Sequence, residues 1–120
     1  MPAFKLLVFT NPVEGRDDEY NDWYDNQHVP DTMTFDGWKS AQRFKTGPRY
    51  LGRDAPARYV AIYEIEADSI EEVLRASDEG TADTFITDAL DLESAWAIPL
   101  TPIGPLVRRD DRAADRTADH

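Results

Sequence analysis

Of the two histidines in this 120-residue chain, His28 and His120, the second is the terminal residue, so His28 is the candidate for proton chemistry near neutral pH. It closes the segment Tyr20-Asn21-Asp22-Trp23-Tyr24-Asp25-Asn26-Gln27-His28-Val29-Pro30. Helical spacing of four puts Tyr20, Tyr24 and His28 on one stripe with Trp23 and Gln27 beside it, while Asn21, Asp22 and Asn26 are expected to point away. A core-facing stripe ordinarily uses Leu, Ile and Val, and Asp17 to Gln27 contains none of them. Two readings fit. Trp23 and Tyr24 can be packing anchors, with His28 ending the helix on a backbone carbonyl. Alternatively, the stripe lines a pocket in which one imidazole exchanges a proton with a ring-bearing molecule. Composition and periodicity do not decide between them.

The elements that must position this stripe are readable around it. Phe4 to Thr10 is a short β-prone apolar run closed by Asn11-Pro12 and Gly15. A helix follows from Asp17 to about His28, its first turn acidic, and Pro30 is expected to end or bend it there. Trp38 to Lys45 reads as a strand with Trp38, Ser40, Gln42 and Phe44 on one face and Lys39, Ala41, Arg43 and Lys45 on the other. A loop rich in Gly and Pro joins it to a strand at Arg58–Glu66, with Tyr59, Ala61, Tyr63 and Ile65 sharing a face. Asp68 or Ser69 caps a second helix ended by Asp78-Glu79-Gly80. A weak helix is expected over Ala82–Leu92, and a last strand over Ser94–Leu100, where Pro99 suggests an edge or a bulge.

The order β-α-β-β-α-β is the ferredoxin-like split unit, an α+β fold with a four-stranded antiparallel sheet and both helices on one face. The other face, carrying Leu7, Phe9, Val60 and Ile62 or their alternates, needs a cover. A second copy, burying the same patch twice, is the simplest one.

Composition bounds the partners. The formal net charge of −11 and a pI near 4.4 argue against nucleic acid and an anionic membrane surface. With no cysteine, disulfides, thiolate nucleophiles and zinc-thiolate or iron-sulfur sites drop out. No segment reads as a signal peptide or membrane span, and a cytoplasmic location is expected. Residues 1–107 form the expected domain; residues 108–120 balance four Arg against four Asp and read as a flexible polar tail. Metal ligation is not expected, because Asp22, Asp25 and His28 spread around the helix. One axial imidazole suffices for haem, but nothing near His28 specifically suggests it, and no cofactor is expected.

The segment Trp23-Tyr24-Asp25-Asn26-Gln27-His28-Val29-Pro30-Asp31, followed by Gly37-Trp38-Lys39-Ser40-Ala41-Gln42-Arg43-Phe44, resembles the W-Y-x-x-x-H-x-P-[DE] and "G…A-x-R-F" pattern of EthD-like proteins of the dimeric α+β barrel superfamily. Tyr59-Val60-Ala61-Ile62-Tyr63-Glu64 resembles that family's "Y-x-x-x-Y-E" strand. The resemblance implies a protomer whose sheet pairs with a partner's, with a ligand cavity between each sheet and its own helices. It also implies a cavity-facing role for the histidine at the end of the first helix, carried over to His28 alone. Relatives differ in chemistry, so the fold does not fix the reaction.

The function expected is a cofactor-independent enzyme with His28 as general acid/base and Tyr24 as its catalytic companion. Its substrate is a small hydrophobic ring-bearing molecule, and the step is a lyase, cyclase or isomerase reaction of aromatic or polyketide-type metabolism. Trp23, Trp38, Gln42, Tyr59, Tyr63 and Trp96 are the expected substrate-binding residues. Which strand parity faces the cavity is left open; the opposite parity would project Arg43 inward and suit an anionic ligand, although Arg43 can also pair with Glu64 across strands. The alternatives are a non-catalytic ligand-binding or accessory protein of a degradative pathway, and a cofactor-free oxygenase.

Overall fold

The chain is described by a computed structural model over residues 2–110, so residues 111–120 of the expected tail lie outside the described residues. Strands β1 (Ala3–Thr10), β2 (Trp38–Lys45), β3 (Tyr59–Glu66) and β4 (Trp96–Leu100) form one antiparallel sheet in the order β2-β3-β1-β4. That is the ferredoxin-like arrangement expected from the element order. Its buried face carries Phe4, Leu6 and Thr10 from β1, and Ala61, Tyr63 and Ile65 from β3. The opposite face carries Leu7, Phe9, Val60 and Ile62, with the exposed Phe44 and Trp96 beside them. These apolar side chains are partly or largely exposed in the single chain.

The first helix departs from expectation at its end. It begins at Asp17 with three acids in its first turn and runs as α1 to Trp23. It then widens into a π-helical turn, Tyr24–His28, in which the Val29 N–H reaches back to the Tyr24 carbonyl, and resumes as α2, Val29–Thr32. Pro30 therefore does not stop the helix at His28. A proline inside a regular α-helix clashes with the carbonyl four residues back and cannot donate to it; the wider turn before Pro30 lowers that conflict and carries the chain onward. Turns of this kind re-aim the side chains they contain, here Tyr24 and His28.

Strand β2 departs from strict alternation. Trp38 pairs with Ile65 and Ser40 with Glu64, so Lys39 is an extra residue and the strand bulges there. The bulge reverses the parity beyond it: Trp38 lies on the buried face, and so do Ala41 and Arg43, opposite Tyr63 and Ala61. Ser40, Gln42 and Phe44 turn to the open face. The single face expected for Trp38, Ser40, Gln42 and Phe44 is thus split after its first member. Gly37 makes the entry to the bulge, with φ of +83° and its carbonyl accepting from the Glu66 N–H at 2.7 Å. A Cβ there would stand 2.2 Å from the Glu66 carbonyl oxygen.

Helix α3 (Ile70–Ala82) is capped as expected, Ser69 Oγ accepting from the Glu72 N–H at 3.2 Å. It buries Val73 completely and runs past Gly80, which was expected to end it. Gly80 is instead where the Phe35 ring lies against the helix, too close for any side chain. Residues 83–95 do not form the expected helix; they follow an irregular path tied to the loop after β1 by the Val13 N–H to Ala89 carbonyl (2.7 Å) and Asp91 N–H to Asn11 carbonyl (3.0 Å) hydrogen bonds. Two threonines in that run, Thr84 and Thr87, favour this outcome, because β-branched residues weaken a short helix.

Candidate functional site

The aromatic stripe of the first helix packs onto the buried face of the sheet. Tyr20, Trp23 and Tyr24 are all buried, and the Trp23 indole N–H donates to the Phe85 carbonyl at 3.0 Å, which locks its ring. On that ring lies the His28 imidazole, stacked at 4.6 Å between ring centres and inclined by 20°. Tyr24 meets His28 edge-on at 5.3 Å. The sequence stripe and the structure therefore agree on a Trp23, Tyr24 and His28 cluster. They differ on Gln27, which is exposed and lines an outer cleft.

The cluster extends across the sheet. Tyr63 lies against the hydroxyls of Tyr24 and Thr32, Trp38 meets Tyr63 at 4.9 Å, and Tyr59 packs on Tyr20 at 5.3 Å. Of the expected binding residues, Trp23, Trp38, Tyr59 and Tyr63 are thus brought to this interior with Tyr24 and His28. Gln42 and Trp96 are not. Gln42 lies beyond the bulge on the open face, and Trp96 stacks there on Phe9 at 5.5 Å.

Arg43 takes the inward position that Gln42 was expected to hold. Its guanidinium donates to Asp25 Oδ1 at 2.7 Å and to Asn21 Oδ1 at 2.8 Å, and its Cζ stands 4.3 Å from the centre of the Tyr24 ring. Tyr20 and Tyr59 flank it at 5.4 and 5.6 Å. Neither the cross-strand pairing with Glu64 nor the outward orientation expected of Asn21 is found. One signal for this was present: Asn21 and Asp25, at i and i+4, offer two oxygen acceptors on one helix face, an arrangement that asks for a cation. What was not legible was the bulge that delivers Arg43 to them.

Electrostatics follow from burial. Removal from water lowers the His28 pKa, with Asp31 opposing weakly, so the imidazole is neutral at pH 7. Burial raises the Tyr24 phenol well above its ordinary value and Tyr63 to about 12, so both stay protonated and able to donate. The Arg43 charge pulls the other way at Tyr20, Tyr24 and Tyr63. Two buried polar atoms, His28 Nδ1 and Trp38 Nε1, have no hydrogen-bond partner among the described residues. Groups so placed are uncommon in interiors and mark a place where a ligand or solvent atom can bond.

Outside this cluster, Phe35 contributes to the walls of two clefts. One, of about 630 Å³, runs between Thr34–Gly37, the end of β3 and α3; the other, of about 500 Å³, is bounded by Gln27, Asp31, Phe35 and Phe85. Neither is lined by His28 or Tyr24. Among the described residues no group of three or more carboxylates and imidazoles is placed to hold a metal ion, and no helix is long and apolar enough to cross a membrane.

No family model and no curated protein sequence matches the chain. Solved structures do. A MhuD variant with two manganese protoporphyrin IX molecules bound per active site superposes with a TM-score of 0.58 at 13% identity, covering 89% of this chain and all of that one. An ethyl tert-butyl ether D (EthD) family protein from Bacillus halodurans C-125 superposes with a TM-score of 0.51 at 16% identity, covering 86% of this chain and all of that one. The second is the family that the Trp23–Asp31 and Gly37–Phe44 segments resemble. The chain therefore has a ferredoxin-like α+β fold, shared with these two structures.

Proposed function

We propose that this chain is a cofactor-independent enzyme that moves a proton on a small, hydrophobic, ring-bearing molecule, with His28 as general base and then acid. The observation that supports it is the state of His28: an imidazole kept neutral by burial, oriented by the Trp23 ring, with Nδ1 unpartnered among the described residues. A neutral imidazole can accept a proton, and the protonated Tyr24 and Tyr63 phenols can donate to the oxygen on which charge develops. Trp23, Trp38 and Tyr59 supply ring faces for the substrate. A lyase, cyclase or isomerase step of aromatic or polyketide-type metabolism uses this set of groups and needs no redox partner.

The residues around His28 do not fit a porphyrin. One face of the imidazole is taken by Trp23 and its edge by Tyr24, while Tyr24 is itself packed edge to face with Tyr20, both buried. The substrate proposed is correspondingly small. The uncovered face with Phe9, Phe44 and Trp96 pairs with a second copy in this reading, and the absence of cysteine suits the cytoplasm.

The test is turnover of enolisable cyclic ketones and lactones by the wild type and by His28→Gln. Loss of an acid/base group costs about a hundredfold or more in kcat. Full turnover by His28→Gln would sink the assignment. A second reading is a ligand-binding protein without turnover, supported by the unpartnered Nδ1 of His28, which can bond a ligand without any reaction. Its mark is a ligand whose affinity falls in His28→Gln while the wild type leaves it unchanged after prolonged incubation.

A further inference from the structure

We infer that Arg43 is the anion-recognition group of this site, and that the ligand it receives is a ring-bearing carboxylate, which docks by taking the place of the Asp25 carboxylate. The inference rests on the reading of the Tyr24–His28 cluster as a binding site and adds the charge of what binds there.

Arg43 is set into the interior, its side chain only 14% exposed, whereas its counter-ion Asp25 is 60% exposed. A cation enclosed by three phenol rings and balanced by a carboxylate at the surface is asymmetric. The guanidinium is held in place by Asn21 and by the rings of Tyr20, Tyr24 and Tyr59, and does not depend on Asp25 for its position. Asp25 contributes one oxygen to one guanidinium nitrogen. That leaves unused the two-point geometry in which a planar guanidinium binds a carboxylate best. An incoming carboxylate can make both bonds, and the displaced Asp25 carboxylate, 60% exposed, is left to water.

Arg43 and His28 flank the same ring. The guanidinium lies over Tyr24 at 4.3 Å and the imidazole meets its edge at 5.3 Å. A carboxylate held on Arg43 is thereby placed across the Tyr24 ring from His28. Asp25 belongs to the same widened turn as His28, Tyr24–His28.

Binding of 2-naphthoate and of its neutral counterpart 2-naphthamide, by titration calorimetry at low salt, tests this in the wild type, Asp25→Asn and Arg43→Gln. Removing the competing carboxylate in Asp25→Asn is expected to tighten naphthoate by about three- to tenfold and leave naphthamide unchanged, as for one partly exposed charge pair. Arg43→Gln is expected to weaken naphthoate about tenfold or more and naphthamide by clearly less, so that the acid-to-amide ratio falls. Equal affinity for acid and amide in the wild type and Asp25→Asn would overturn the role of Arg43 while leaving the site itself standing. Binding of neither probe would overturn both. Should Arg43→Gln fail to fold, the acid-to-amide ratio in Asp25→Asn against the wild type still decides the matter.

Discussion

Gly80→Ala is the substitution in which two opposing effects of known size can be set against each other. In an open helix interior, alanine for glycine stabilises by about 1 kcal/mol, through lower backbone entropy in the unfolded chain and better helix propensity. At this position the added methyl would stand 2.8–2.9 Å from three atoms of the Phe35 ring. Ordinary carbon contacts begin near 3.5 Å, so the ring must withdraw by about 0.7 Å. Phe35 is not a free side-chain tip. It packs edge-on against the Trp38 ring at 5.1 Å, and Trp38 is itself buried against Tyr63. Overpacking of this kind costs about 1–3 kcal/mol, which outweighs the propensity gain. The expected result is a net loss of about 1 kcal/mol, read as a lower urea midpoint at unchanged slope by tryptophan fluorescence and circular dichroism. In a Phe35→Leu background the clash is relieved and the sign reverses, Gly80→Ala then stabilising by about 0.5–1 kcal/mol. A stabilised single variant, or equal effects in the two backgrounds, would show that Phe35 does not hold this face of α3.

Three further outcomes are expected. Gly37→Ala combines a φ of +83° with a methyl 2.2 Å from the Glu66 carbonyl oxygen, and should cost about 3 kcal/mol or more, with chemical-shift changes centred on the β2 bulge; a loss below about 1 kcal/mol would contradict the bulge. Because burial lowers the folded His28 pKa beneath its unfolded value, the unfolded chain binds more protons between the two. The His28 contribution is therefore full above about pH 6.5, the unfolded value, and is lost as pH falls through the window below it. Unfolding midpoints at several pH values for the wild type and His28→Gln check this, and identical profiles would refute it. Trp96→Glu places a charge beside Phe9 on the open sheet face, and should shift sedimentation from dimer toward monomer while leaving the far-ultraviolet spectrum intact; a wild type that sediments as a monomer would remove the basis for pairing through that face.

The alternation of Tyr59, Ala61, Tyr63 and Ile65, the acidic start at Asp17 and the Ser69 cap were legible in the sequence because each is a local effect: side-chain parity, a dipole and a hydrogen bond act within a few residues. From them followed the β-α-β-β-α-β order, and from it the sheet. The stripe Tyr20, Trp23, Tyr24 and His28 was legible for the same reason. What the tertiary structure decided lies where a local preference was overruled by a neighbour distant in sequence. Pro30 was expected to end or bend the helix near His28, and the structure takes the second course, a widened turn at Tyr24–His28 followed by a short helix to Thr32. Gly80 was expected to stop α3, yet it is the gap that admits Phe35. Trp38 and Gln42 shared a face by counting, and one extra residue at Lys39 put Gln42 outside and Arg43 within reach of Asn21 and Asp25. A bulge leaves no mark on composition or periodicity, since its energy is set by which side chains the two strands and the helix above them can bury together. Residue types alone thus gave the candidate site its aromatic rings and its imidazole. The packing of β2 against β3 and the first helix gave it its positive charge.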